Sequence, residues 1–256
     1  MSNTIRKSNT WEETLIAFPS DRSLSMLSLD AAEHDDNRMR ISLDQQKFKI
    51  RLASSEDRHA SASMLIHKMY SWRGYATEGV GQTNEPNQIT IVASYAERIM
   101  GTMTIGLDSP AGLLADENYK KELDQLRAEG HKVSELVRLA VDRELKSMRV
   151  LAALFHLAYI YGHIIHQATD AVIEVHRRHM LFYEKMLGFK PFGEERICPR
   201  TQVPASLMRI EGDYMEQMIA RFGGKGEQIK DEKSLYPFFF SHTEEAAITQ
   251  RLTHEP

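Results

Sequence analysis

The chain reads as a mixed α/β protein, one sheet with helices on both faces, and three observations say so. Short strand-like runs alternate with amphipathic helical stretches in the order β-α-β-β-(α)-β-α-β-α-β-β. Ile89 to Ala96 and Ile99 to Leu107, joined by a tight Glu97-Arg98 turn, form an antiparallel hairpin. Val133 to Val150, VSELVRLAVDRELKSMRV, reads as a strand that stops at a sharp turn and feeds a nearly all-apolar helix. Such a junction leaves backbone N–H groups unpaired and aimed at one spot, which suits a phosphate or a reacting carbonyl.

Taken in order, the folded unit spans residues 47–222, between a polar extension (1–46) and a polar tail (223–256). Phe48, Ile50 and Leu52 alternate with Lys49 and Arg51, as in a half-buried strand. Ser54 or Ser55 caps the next helix, with Glu56 and Asp57 in its first turn where the helix dipole favours them. That helix carries Met64, Leu65, Met69 and Tyr70 on its apolar side and ends near Gly74, before a loop rich in Gly, Asn and Pro. Ala115 to Gly130 is an amphipathic helix, with Tyr119, Leu123 and Leu126 on one stripe. Lys146 to Gln167 is a long buried helix and Ala171 to Val175 a short strand. Met180 to Leu187 is a helix closed by Gly188. Pro191 to Ile197 and Leu207 to Ile210 make a last strand pair, and Tyr214 to Arg221 is a further helical stretch. The first 46 residues read as a mobile arm, with a lid or partner-binding helix around Trp11 as the alternative; the tail is polar apart from Leu235 to Phe240.

The bulk numbers narrow the function. The 256 residues, 42% hydrophobic, bury one sizeable core. A net charge of −4 argues against general nucleic-acid binding. A single cysteine, Cys198, forms no internal disulfide and fits a reducing compartment. The first residues lack the apolar run of a secretory signal, and Val150 to Ile165 is shorter than the ~20 residues of a membrane span. The expectation is a cytoplasmic protein. His156, His163 and His166 share one helix face, but no cysteine or carboxylate completes a set, so no metal is expected.

With these residues in view, the chain resembles the GNAT acyltransferase superfamily. LAVD at Leu139 to Asp142 ends the central strand, and HRRHMLFYEKMLGFKPF, from His176 to Phe192, resembles the superfamily's strand end followed by F-Y-E-K-x-L-G-F. The departures are informative. Acetyl-CoA-dependent members usually carry Arg/Gln-x-x-Gly-x-Gly/Ala where strand turns into helix, so that the backbone approaches the CoA pyrophosphate. Here Arg149 and Leu151 fill both small positions. A donor with one phosphate, the phosphopantetheine arm of acyl carrier protein, makes a smaller demand. Ser134 to Val141, SELVRLAV, resembles the E-L-x-R motif of two GNAT-related families that use acylated carrier protein: the acyl-homoserine lactone autoinducer synthases and the N-acyl amino acid synthases of the FeeM type. R-L-A-V-D, V-L-A-A-L-F and the segment from His176 are similar to the second family, and the tryptophan that autoinducer synthases show before the strand glutamate is replaced by Val133 and Ser134.

The resemblance implies attack of an amino acid amine on a fatty acyl thioester, with no permanently bound cofactor and with acyl-phosphopantetheine as donor. Glu135 is then the candidate for orienting or deprotonating the amine and Arg138 for holding the acceptor's carboxylate, against the alternative of a structural ion pair. Three residues apart on a strand, they share a face only if a β-bulge intervenes. Tyr183 matches the tyrosine that protonates the leaving thiolate, a phenol of pKa ~10 being close to an alkyl thiol; the alternative is a packed aromatic. Trp72, Arg73 and Tyr75 fall where both families form a substrate-pocket wall. Arg143, Lys146 and Arg149, with Arg177 and Arg178, form a basic rim for an acidic carrier protein, and His179 caps its helix or touches pantetheine. Rival readings are an autoinducer synthase using S-adenosylmethionine, a CoA-dependent acetyltransferase and a silent acyl-binding module. A peripheral membrane contact through the product or the N-terminal segment is also open.

Overall fold

A computed structural model describes residues 14–19, 47–78, 86–145, 147–229 and 231–254. The expected lid around Trp11, and Lys146 of the basic rim, lie outside them. Among the described residues nine strands form one sheet in the order β1-β2-β3-β4-β5-β6-β9-β7, with β8 also paired to β9. They are β1 (Thr14–Pro19), β2 (Lys47–Leu52), β3 (Gln88–Tyr95), β4 (Arg98–Leu107), β5 (Val133–Val141), β6 (Asp170–His176), β7 (Lys190–Pro191), β8 (Arg196–Ile197) and β9 (Pro204–Glu211). Every pairing is antiparallel except β5 with β6. The β3–β4 turn falls one residue earlier than its sequence suggests. Ala96 and Glu97 both take positive φ (47° and 61°), the twist that suits a two-residue hairpin loop.

One face of the sheet is covered by α1 (Glu56–Trp72) and α2 (Asp116–Ala128). The Ser55 side chain caps α1 by accepting the Arg58 N–H. Leu65, Ile66 and Met69 of α1 pack on Ala140; Tyr119, Leu123 and Leu126 of α2 pack with Val133, Val172 and Leu207. The other face carries α3 (Met148–Tyr159), α4 (Arg177–Leu187), α5 (Gly212–Phe222) and α6 (His242–His254). The long apolar helix is two pieces: α3 and a π-helical turn over Ile160–Ile165. By length and composition it passes for a membrane span, yet 61% of it is buried in the protein, the mark of a core helix.

Two segments placed outside the folded unit belong to the core. Leu15 and Ile16, expected in a mobile arm, sit in edge strand β1, where Leu15 is buried and Arg251 of α6 donates to the Thr14 and Leu15 carbonyls at 3.3 and 2.8 Å. The tail is not an appendage. Leu235, Tyr236, Phe239, Phe240 and Ile248 are buried against α3. Fully buried His156 of α3 stacks between Phe239 and Phe240, both centroids 4.8 Å away, accepts the Phe240 N–H and meets Glu245 of α6 at 2.8 Å. Burial holds this imidazole below its ordinary pKa, so it is neutral and can accept at one nitrogen while donating at the other.

Candidate active site

The parallel pairing of β5 with β6 is short. It joins Val133, Ser134 and Glu135 to Asp170, Ala171 and Val172, and then stops. Beyond that point β5 stays on β4 as far as Val141, and β6 stays on β9 as far as His176, so the two strands diverge into a wedge. A β-bulge accompanies the opening. Thr104 pairs with Val137 and Thr102 with Ala140, leaving Arg138 and Leu139 together opposite Met103. Arg138 takes φ 54°, a left-handed conformation unusual for an arginine. The bulge brings Arg138 to the face that Glu135 occupies: Glu135, Gly106 and Gln88 stand in one row across β5, β4 and β3, and the Arg138 guanidinium donates to Gln88 Oε1 at 2.7 Å.

A cavity of about 340 Å³ fills the wedge and crosses the sheet. Leu136, Val137, Leu139 and Val141 form one wall and Ile173, Val175 and His176 the other. Leu151 and Phe155 of α3 with Phe182 and Tyr183 of α4 close it on one face; Tyr70, Arg73 and Tyr75, from the end of α1 and the loop beyond, close it on the other. Its polar groups include Arg138, Glu174, His179, Cys198 and Arg200. An apolar passage with a few converging polar groups can hold a flexible hydrocarbon chain and orient one reacting end.

Glu135, the carboxylate singled out by the strand motif, does not line this cavity. It is 1% exposed, its Oε2 accepts the Leu114 N–H at 2.8 Å, and its Oε1 has no partner among the described residues. Burial pushes its pKa up to about 7, against the opposing pull of Arg200 and the Leu114 amide. The carboxylate that does line the cavity is Glu174 of β6, which the sequence reading missed. The signal was the one that flagged Glu135, a charge inside an apolar strand (AVIEVH). Arg200 joins the two: its guanidinium donates to Glu174 Oε2 at 2.5 Å, to Glu117 at 2.6 Å and to the Leu114 carbonyl at 2.8 Å.

Tyr183 stands in the wall with its ring edge-to-face against Phe155, Phe182 and Phe189, at 6.1, 5.3 and 5.9 Å. Burial raises its pKa, so the phenol keeps its proton and is a poorer acid than a free one. Tyr70, also raised by burial, to about 12, meets Tyr75 edge-on at 5.6 Å. His179 lines the cavity but does not cap α4; His176 does, its Nδ1 accepting the Arg178 N–H at 3.1 Å. Burial, with Arg178 and Arg73 nearby, lowers the His179 pKa to about 4. Arg178 also donates to the Tyr75 hydroxyl at 2.8 Å, which ties the mouth of the wedge to α4.

A sequence profile described as N-acyl amino acid synthase FeeM matches residues 61–211, more than half of the chain and all of the wedge. The protein belongs to the FeeM family of N-acyl amino acid synthases. It is an acyltransferase, and the mixed sheet flanked by helices that the sequence leads one to expect is present. The solved structure of FeeM, an N-acyl amino acid synthase from uncultured soil microbes, is 23% identical and has a TM-score of 0.62, covering 68% of this chain and 96% of that one. An acyl-CoA N-acyltransferase from Pseudomonas aeruginosa matches at 11% identity and a TM-score of 0.44, over 63% of this chain and 97% of that one. The AHL synthase LasI matches at 12% identity and 0.46, over 64% and 90%. No curated protein matches the chain.

In this FeeM-family chain, part of the expected site lies elsewhere. Trp72 is 56% exposed and no part of the cavity wall; it is covered instead by Arg143, whose guanidinium lies 4.2 Å from the ring centroid. The α1 residues that reach the wedge are Tyr70, on the inward face, and Arg73, at the helix end. The basic rim is split. Arg143 stays beside Trp72, whereas Arg149, in the first turn of α3, lines a separate groove with Leu15, Lys225, Phe238 and Arg251. At the helix start, the Ser147 hydroxyl accepts the Val150 N–H at 3.4 Å and the Leu151 side chain fills the wedge wall. Of the three helix histidines, His163 lies within 4.8 Å of Asp213 and Glu216, a grouping drawn from two elements that the sequence does not place together.

Proposed function

We propose that this FeeM-family enzyme transfers a long-chain fatty acyl group from the phosphopantetheine thioester of an acyl carrier protein to the amine of an amino acid. The observation that carries the reading is the wedge beyond Glu135 and Val172, which gives an extended pantetheine arm a way between two strands to meet an acceptor. The thioester is substrate, and nothing in the chemistry calls for a resident cofactor. Leu151 in the wedge wall favours a donor that carries one phosphate over one needing a glycine-lined pyrophosphate cradle. Tyr183 is the proposed acid for the departing thiolate, and Arg138, fixed by Gln88, the proposed partner of the acceptor's carboxylate. Glu135 acts at one remove: it holds Leu114, whose carbonyl helps to hold Arg200. Carrier protein and free amino acids place the reaction in the cytoplasm, and an amphiphilic product gives the enzyme reason to visit a membrane surface.

Incubation with acylated carrier protein and a mixture of amino acids, read by mass spectrometry, is expected to yield N-acyl amino acids. A lactone with methylthioadenosine, formed only when S-adenosylmethionine is added, would assign the autoinducer reaction instead. Carrier binding with no turnover would leave an acyl-binding module.

The docking surface carries its own prediction. Arg143 is exposed beside Trp72, Arg73 borders the cavity, and exposed Arg177 and Arg178 open α4. Arg143→Glu should raise the KM for acyl carrier protein about tenfold at low salt and leave kcat unchanged, with the difference shrinking as salt rises. An unchanged KM removes Arg143 from docking.

A further inference from the structure

Some group must receive the proton that an amino acid's ammonium loses before its nitrogen can attack. The strand motif offers Glu135, but that carboxyl is walled off behind Leu114 and Arg200. Among the described residues, Glu174 is the one carboxylate in the cavity wall. The histidines there serve poorly. His179 accepts from Arg178 at 3.2 Å and has its pKa lowered to about 4, while His176 spends Nδ1 on its helix cap. Glu174 stands two residues beyond the last β5–β6 pair, on the same face as Val172, where the wedge opens.

Its environment looks built to hold a carboxylate still with one acceptor position left over. Arg200 and the Cys198 thiol (3.4 Å) donate to Oε2, and Asn118 donates to Oε1 at 3.0 Å. A carboxylate accepts about four hydrogen bonds, so among the described residues one position on Oε1 is left. The Arg200 guanidinium occupies Oε2 at 2.5 Å, which leaves Oε1 as the oxygen that can meet an ammonium.

We infer that Glu174 is the catalytic carboxylate that binds the acceptor's ammonium and takes its proton, and that Glu135 is a positioning residue acting on it through Leu114 and Arg200. This rests on the acyl-transfer reading of the wedge. One ammonium proton passes to Glu174 and on to solvent, freeing the nitrogen lone pair. The lone pair forms the C–N bond at the thioester carbonyl, the C–S bond then breaks, and the second nitrogen proton replaces the one that the thiolate takes from Tyr183. The sum is an amide, a thiol and one proton released.

The test compares two acceptors in the intact enzyme with acylated carrier protein. An amino acid mixture presents ammonium groups; hydroxylamine presents a nitrogen already unprotonated at neutral pH. Glu174→Gln should cut N-acyl amino acid formation about 100-fold and move its pH dependence to more alkaline values, while hydroxamate formation stays within a factor of about 3. Asn118→Ala and Cys198→Ala, which loosen the carboxylate but keep it, should cost far less. Equal losses with both acceptors would make Glu174 merely structural, and unchanged rates would remove it altogether; either overturns the inference. Should Glu174→Gln fail to fold, Glu174→Asp keeps the charge for Arg200 but withdraws the oxygen. It should then favour hydroxylamine more than the wild type does, and unchanged preference overturns the inference as well. Wild-type enzyme that acylates neither acceptor sinks the acyl-transfer reading itself, a separate outcome.

Discussion

Tyr183→Phe should lower kcat by on the order of 100-fold while leaving the KM for either substrate nearly unchanged. The ring is held edge-on by Phe155, Phe182 and Phe189, so phenylalanine keeps the packing and removes only the hydroxyl. Burial makes the phenol a weaker acid than in water. The same dry surroundings make an alkyl thiolate a stronger base, so the proton transfer stays favourable as the C–S bond breaks. The decisive comparison is a second donor. An aryl thioester releases a thiolate stable enough to leave unprotonated, so the variant should approach the wild-type rate with it. Losses of equal size with alkyl and aryl thioesters would show that Tyr183 shapes the wall and gives no proton.

The strands and helices around the wedge are legible in the sequence because their signals are local. Ser55 before Glu56 and Asp57, the tight turn between the apolar runs of β3 and β4, and Gly188, which takes φ 90° at the end of α4, each fix an element within a few residues. The bulge on β5 is legible as a condition: Glu135 and Arg138 share a face only with one, and Arg138 supplies it. What fails is the step from residue to partner. Glu135 and Glu174 carry the same signal, a charge in an apolar strand, and only the end of the β5–β6 pairing decides which one meets the cavity. Arg143 and Arg149 are six residues apart, but the turn into α3 sends them to different surfaces. The fate of Leu235 to Phe240 depends on His156, some eighty residues earlier, whose neutral ring reads as polar in a sequence and packs as an aromatic in the core.

The buried motif glutamate leads to the largest expected effect on stability. In the unfolded chain Glu135 titrates near 4.5; in the fold burial moves it up to about 7. Between those values the folded state holds a proton that the unfolded state has lost, so this group's contribution to stability falls as pH rises through the window and is flat above it. A shift of that size corresponds to on the order of 3 kcal/mol by the end of the window. Glu135→Gln keeps an oxygen for the Leu114 N–H and abolishes the titration, so its stability relative to wild type should climb by about that amount between pH 5 and pH 8 in urea denaturation. Other groups do not imitate this signature. His156, His176 and His179, all lowered, add stability as pH rises toward 6.5, and they do so equally in both proteins. Asp116, Glu122 and Asp142, also lowered, lose theirs only below pH 4.5. Parallel stability curves for the two proteins would mean that Glu135 is ionised in the fold at ordinary cost. A widening gap would mean that the fold carries a costly buried carboxyl at the position that holds the Leu114 N–H.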